Sequence, residues 1–337
     1  MEHDRSSTTG SRVSVVVLNY NGRSSLEKCI KSIQAQSYPP SEIILVDNNS
    51  SDGSADAAQQ LFPTLKVIRN SENLGFAEGN NVGIRKSHGD LVLLANNEII
   101  LDREAVSQLV HHASPDVGLV GGAILYADGG KLWSYGGLFD PFTGMHWHAF
   151  QGMNGKTRLP ENPQVDYVPG ALLLARRSLL EKVGLLDDYF FLYGDDIDLA
   201  LKARRVGYSV QVTPYALAYH LVSQSVRKLE EKHELLGYYL MNRNMFYLYF
   251  TQLAVPLAIT ATVSQMGFLL FEILLFRRPA SYLPTKIRAL ANAMRDWGRI
   301  GRMRRRVQRL GVLSAGPRFK DFLAVARSRA ATRTYYW

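Results

Sequence analysis

The sequence predicts an α/β fold: a mixed, mostly parallel sheet flanked by helices, followed by a helical C-terminal extension that is first hydrophobic and then basic. Two observations carry the sheet. Between Val13 and about Leu125, short β-branched runs end in polar loops, at Val13–Leu18, Ile43–Val46, Leu65–Ile68 and Leu91–Leu94. Helical periodicity lies between them, so strands alternate with helices, the pattern of a parallel sheet covered on both faces. A third observation carries the extension: from Met245 to Phe276 the only charged side chain is Glu272.

Each element has a local reason. Leu26, Cys29, Ile30 and Ile33 follow i, i+3, i+4, i+7 spacing and predict the first helix, with Ser24 and Glu27 as its capping box. Asp102 suits the cap of a helix whose apolar face is Val106, Leu109 and Val110. From about Gly129 to Pro163 the pattern is irregular and rich in Gly, His and aromatics, which predicts a long loop or lid over a site. Gly170–Leu174 reads as a strand, Arg177–Val183 as a short helix with Gly184 at C′, and Ile197–Arg204 as a helix closed by Gly207. Val210–Val212 reads as a further strand.

The chain has 337 residues, enough for one large domain or two ordinary ones. The expected division is a polar tail over 1–11, an α/β domain over 12–235 and a helical region over 236–337. The tail has no apolar segment of the signal-peptide kind. Lys and Arg number 39 against 30 acids, a formal charge of +9. Much of that excess sits between Arg277 and Arg309, with eleven Lys or Arg and one acid, Asp296. This basic segment lacks a nucleic-acid motif and interleaved stacking aromatics, so an anionic membrane surface is the expected partner rather than nucleic acid. Cys29 is the only cysteine, which excludes an intramolecular disulfide. Pro256 and several Thr, Ser and Gln dilute the apolar run. It admits a membrane helix, a broken hairpin in the interface or buried helices of a soluble domain, and peripheral or shallow insertion is expected.

In parallel sheets, ligands bind beyond the carboxyl ends of the strands, so the residues after each strand come first. Asp47, Asn48 and Asn49 follow the second strand; a carboxylate there accepts the imide N–H of uracil or thymine, or else caps the next helix, a task that suits Asp52 better. Asn73-Leu74-Gly75-Phe76 and Asn80 supply amides and a tight turn, or simply a capped helix start. Asn96-Asn97-Glu98 end a strand with two amides and a carboxylate, oxygen ligands suited to Mg2+ or Mn2+, or a plain polar strand end. Asp195, Asp196 and Asp198 crowd three acids into four positions, more than one helix cap needs. His220 is a metal ligand or a structural histidine. There is no P-loop lysine signature, HExxH, GxSxG or zinc cysteine pair.

In order, these motifs resemble family 2 glycosyltransferases of the GT-A, Rossmann-like fold, and within them the rhamnosyltransferase-like branch of bacterial surface-polysaccharide enzymes. The stretches that carry it are Val15–Gly22, the Asp47 loop, Asn73–Ala77, Asn96–Glu98, Val168–Ala171, Phe191–Tyr193, Asp195–Asp198 and His220. The resemblance implies an inverting hexosyltransferase taking a nucleoside-diphosphate sugar, dTDP- or UDP-linked with dTDP-rhamnose among the candidates. The acceptor is a saccharide or polyprenyl-diphosphate-linked saccharide at the cytoplasmic face of the plasma membrane. It assigns Asp47 to the base, with Asn19, Tyr20, Asn21, Asn49, Asn73, Gly75, Phe76, Asn80, Asn96 and Asn97 around the nucleotide sugar. Asp196 is the general base, with Asp195 and Asp198 beside it, and Glu98 and His220 hold a divalent cation, Mn2+ or Mg2+. Two departures stand out: Glu98 replaces the usual terminal Asp, so the cation is expected to enter with the donor, and Gly194-Asp195 replaces a bulkier residue followed by Glu. A non-catalytic sugar-nucleotide or polysaccharide-binding subunit and a nucleotidyltransferase are the rival readings.

Overall fold

The computed structural model describes residues 10–161, 163, 165–221, 234–276, 279 and 281–312. Nearly all of the expected tail, residues 1–11, lies outside these.

The four expected strands form and pair in parallel. They are β1 (Val13–Asn19), β2 (Glu42–Asp47), β3 (Lys66–Arg69) and β4 (Leu91–Asn96). β5 (Ile99–Leu101), β6 (Val117–Tyr126), β10 (Leu172–Arg176) and β11 (Ser209–His220) extend them to the order β3-β2-β1-β4-β10-β6-β11-β5, with β7 (Leu132–Ser134) on β6. The order reverses at β1, which lies between β2 and β4. That is the switch point where an open α/β sheet binds its ligand.

Side-chain alternation splits the core into two layers. Val16, Ile44, Val46 and Leu94 point to one face; Val15, Val17, Leu45 and Leu93 point to the other, beneath α1 (Leu26–Gln34), α2 (Ser54–Leu61) and α4 (Ala105–His111). The first layer is covered by α3 (Gly75–Lys86), α5 (Arg177–Val183), α6 (Asp195–Arg205) and α7 (Glu234–Gln252). α8 (Val255–Phe276), α9 (Tyr282–Arg295) and α10 (Trp297–Arg309) complete the chain.

Several expectations change. Ser24 is exposed and no capping box forms: Ser25 is the N-cap, and Glu27 pairs with Lys31 at 2.6 Å instead. Asp102 does not cap its helix either: Glu104 is the N-cap, and Asp102 accepts the Glu104 N–H at 3.2 Å just ahead of it. The strand expected over Gly170–Leu174 starts at Leu172, because Gly170 N–H is given to Asp196 and the Ala171 carbonyl to Asn96. The stretch from Gly129 is less irregular than expected: it holds β7 and a hairpin of β8 (Gly137–Phe139) and β9 (His146–His148), closed on Leu138, Trp147 and Ala149. Asp166 anchors this hairpin by taking Phe139 N–H at 3.0 Å and pairing with Arg204 of α6 at 2.7 Å. β11 runs well past Val212, through a bulge between Thr213 and Leu217 that accommodates Pro214.

The apolar run from Met245 is two helices, not one. Its first part, Met245 to Tyr249, is buried in the end of α7 against the sheet layer. The helix ends at Gln252, and Val255–Leu274 is the part long and apolar enough to cross a membrane, at mean hydropathy 1.7. Its inner face, Ala258, Ala261 and Leu269, is buried. Gln265 on that helix donates to the Thr143 carbonyl at 3.0 Å and accepts from Lys286 of α9. Its outer face carries Val255, Ile259, Val263, Leu270 and Leu274, 46–79% exposed and at helical spacing.

Candidate active site

The ends of β1, β2 and β4 are joined by one amide. Asn19 is fully buried; its Nδ2 donates to Asp47 Oδ1 and Ser54 Oγ, both at 2.9 Å, while its Oδ1 accepts from Asn97 Nδ2 at 2.8 Å. Ser50 completes the carboxylate, its Oγ on Asp47 Oδ1 at 2.6 Å and its N–H on Oδ2 at 3.2 Å. Gly22 is obligatory: a Cβ there would stand 2.0 Å from Asn97 Nδ2. The two readings of this loop separate cleanly. Asp52 takes the Ser54 N–H at the start of α2, at 3.0 Å, and Asp47 stays in the strand-end network. Asn21, at φ +53°, ties the two loops by accepting Ser51 N–H at 2.9 Å. Tyr20 and Asn49 are exposed on the rim.

A second network, centred on Asn48, was not anticipated. Asn48 is buried; its Nδ2 donates to Asn73 Oδ1 at 3.1 Å and to the Gly75 carbonyl at 2.8 Å, and its Oδ1 accepts from Asn70 at 2.9 Å. Its position directly after Asp47 was the available signal. Gly75, at φ +76°, starts α3 against the acid loop: a Cβ would lie 2.3 Å from the Phe191 carbonyl, which accepts Phe76 N–H at 2.6 Å. Asn80 is buried on the next turn, donating to the Phe76 carbonyl at 2.9 Å, and its Oδ1 has no partner among the described residues.

The acids open α6. Asp196 Oδ2 accepts Gly170 N–H at 3.3 Å and its Oδ1 accepts Ile197 N–H at 2.9 Å. Gly170 in turn abuts the Phe76 ring, which a Cβ would meet at 2.8 Å, and its neighbour Ala171 accepts Asn96 N–H at 3.1 Å. Asp196 is thereby linked to the donor-side loops. Burial pushes its carboxyl up to about 6, against those backbone N–H groups. Burial, with Asp196 beside it, holds Asp195 well above the usual carboxylate range. Asp198 is differently employed: it pairs with Lys202 at 2.5 Å in a site from which water is excluded and accepts Gln252 Nε2 of α7 at 2.6 Å. Gly194 fits for two reasons: its φ is +90°, and a Cβ would stand 2.6 Å from Met245 Cε.

The β5–β11 pairing brings the backbones of Glu98 and His220 close together. His220 lies opposite Ile99, and Leu221 N–H donates to the Glu98 carbonyl at 2.8 Å. The His220 ring stacks on Trp133 at 4.7 Å. Burial lowers its pKa to about 4, so the ring is neutral, and its buried Nδ1 has no partner among the described residues. A neutral imidazole with an unpartnered nitrogen beside a carboxylate residue fits a divalent cation. Among the described residues no three His, Cys, Asp or Glu gather into a fuller set. Two protein ligands leave the remaining positions of a cation to other oxygens.

The strand ends at the switch point and the desolvated acids of α6 are thus brought to one end of the sheet. The chain belongs to glycosyl transferase family 2, whose model matches residues 14–184. It is 26% identical over 243 residues to an N-acetylglucosaminyl-diphospho-decaprenol L-rhamnosyltransferase of Mycobacterium tuberculosis, covering 65% of this chain and 79% of that one. Two solved structures share its fold. One is a mannosyltransferase of Pyrobaculum calidifontis in complex with GDP-Man and Mn2+, 18% identical with a TM-score of 0.54, covering 97% of this chain and 83% of that one. The other is S. aureus TarS 1–349 in complex with UDP, 14% identical with a TM-score of 0.53, covering 96% and 93%.

Proposed function

We propose that this glycosyltransferase moves a sugar from a nucleoside-diphosphate donor to a lipid-linked saccharide with inversion, and that Asp196 is its general base. The observation that carries the reading is the Asp196 carboxylate, raised by burial to about 6 and joined through Gly170 and Ala171 to the donor-side strand ends. At pH 7 such a group is ionised, yet it is a stronger base than an ordinary aspartate. Asp196 takes the proton of the acceptor hydroxyl. The oxygen attacks the anomeric carbon from the face opposite the diphosphate, and the bond to the diphosphate oxygen breaks. A single displacement inverts the anomeric centre.

Asp47 reads the base, held in place by the amide of Asn19, which Asn97 in turn anchors, with Tyr20 and Asn49 at the rim and Asn21, Asn73, Gly75, Phe76, Asn80 and Asn96 around the nucleotide sugar. Glu98 and His220 would hold the cation, Mn2+ or Mg2+, which when bound would supply positive charge against the departing diphosphate. The M. tuberculosis relative's diphospho-decaprenol acceptor supports a polyprenyl-diphosphate-linked saccharide here, and its L-rhamnosyl specificity supports dTDP-rhamnose among the donors. The exposed stripe Val255, Ile259, Val263, Leu270 and Leu274, on a helix whose other face is packed, supports a membrane position. A helix packed on one side suits peripheral or shallow insertion, and the basic segment from Arg277 suits the anionic cytoplasmic leaflet.

A thermal-stabilisation screen of UDP-, dTDP- and GDP-sugars with Mn2+ tests the donor. A ligand that binds only the native state raises the unfolding midpoint. UDP- or dTDP-sugars are expected to do so and GDP-sugars not; the donor that does should then give a product of inverted anomeric configuration. Stabilisation by none, or a retained configuration, contradicts the reading.

A further inference from the structure

The loop that delivers Asp196 has an unusual backbone. Tyr193 and Gly194 are consecutive left-handed residues, at φ +72° and +90°, directly before α6. A tyrosine adopts that conformation only when its surroundings impose it. The imposing group is on α7, some fifty residues along the chain. Asn244 is fully buried and its Nδ2 donates to both the Leu192 carbonyl, at 2.8 Å, and the Tyr193 carbonyl, at 2.9 Å. Its Oδ1 accepts from Arg243 Nε at 3.0 Å and from an Arg243 terminal nitrogen at 2.8 Å, so the amide is saturated and cannot turn. Arg243 also donates to the Tyr189 carbonyl at 3.0 Å and lies over the Tyr189 ring at 4.7 Å. On the opposite side the Phe191 carbonyl accepts Phe76 N–H against the close approach of Gly75, and Phe191 N–H donates to the Tyr189 carbonyl at 3.1 Å.

We propose that Arg243 and Asn244 are positioning residues of the transfer reaction, fixing the Tyr189–Tyr193 backbone so that α6 begins where Asp196 meets the acceptor. The inference rests on Asp196 being the base. Neither residue touches the donor-side network of Asn19, Asp47 and Asn97, so the pair acts on transfer and not on donor binding. A misplacement of the base by about 1 Å costs on the order of 10²-fold in rate.

The test is Asn244→Asp in the full chain. The substitution keeps the shape and the oxygens that serve Arg243, but removes both N–H donors and sets oxygen against two carbonyls. The expected result is a kcat lowered about 10²-fold, with the KM for the donor and the calorimetric affinity for UDP or dTDP with Mn2+ unchanged, and with faster hydrogen exchange confined to 190–196. Unchanged kcat overturns the proposal, as does a fall of kcat and nucleotide affinity together. If Asn244→Asp does not fold, Arg243→Lys decides. It retains the charge and loses the forked contact, so lowered kcat with unchanged nucleotide binding supports the proposal and unchanged kcat overturns it. Asp196→Asn measured in parallel separates the two readings. Transfer surviving in Asp196→Asn removes the base; transfer lost there but retained in Asn244→Asp removes only the positioning pair.

Discussion

The donor side and the acceptor side of this site are built in opposite ways. Asn19, Asp47, Ser50, Ser54 and Asn97 are bonded to one another at the ends of three adjacent strands, so the sheet that forms them also assembles them. The acid loop has no such local frame. Asp187 is held by Tyr247 at 2.9 Å and Arg299 at 3.1 Å, the Tyr189 ring stacks on Tyr247 at 3.9 Å, and Asp198 is held by Gln252. The difference teaches that the proposed nucleotide site is a property of the α/β sheet, while the loop that carries the proposed base depends on the helices that follow it.

That contrast can be broken at its most buried point. Lys202→Ala strands Asp198 without its counter-charge in a site closed to water, and the expected loss is about 3–5 kcal/mol in denaturant unfolding. A loss below about 1 kcal/mol, the range of exposed pairs, would mean the acid side is not held by this packing. On the donor side, Glu98→Ala should weaken Mn2+-dependent nucleotide binding by at least the 10- to 100-fold that supporting residues of metal sites cost, roughly. Calorimetry with and without Mn2+ reads it, and equal affinity in both conditions would remove Glu98 from the cation. The smallest effect is on pH. Asp196 must be ionised to act, and its carboxyl is raised to about 6. The rate should therefore be level above that value and fall as pH drops through it, to about one-tenth of the plateau at pH 5. A limb at the usual aspartate value, near 4, would show that burial does not tune the base.

The same contrast explains what was legible in the sequence. Strand ends announce themselves, because a β-branched run stopping at Asn19, Asp47 or Asn96 marks both the element and its ligand-facing residues. α5 and the Gly184 terminus were readable to the residue, since C-cap glycine is a local signal. β6 was not, because Val117–Tyr126 is buried on nearly every residue and shows no alternation. The hairpin of β8 and β9 was missed for a related reason: its strands are three residues each and are stabilised by Asp166 from beyond the hairpin. Asn48, next to a chosen residue, was overlooked because its partners at Asn70, Asn73 and Gly75 are brought to it by the fold. Arg243 and Asn244 carry no sequence signal at all; they sit in an apolar helix and acquire meaning only from the loop they hold. The match to the family likewise ends at residue 184, before the acids.

The most direct test of the account is Asp196→Asn, with transfer and donor binding measured on the same protein. The account predicts kcat lowered about 10²- to 10⁴-fold with the nucleotide affinity in Mn2+ unchanged, because Asn19, Asp47 and Asn97 are held by one another at the strand ends. Transfer at near the wild-type rate would contradict it.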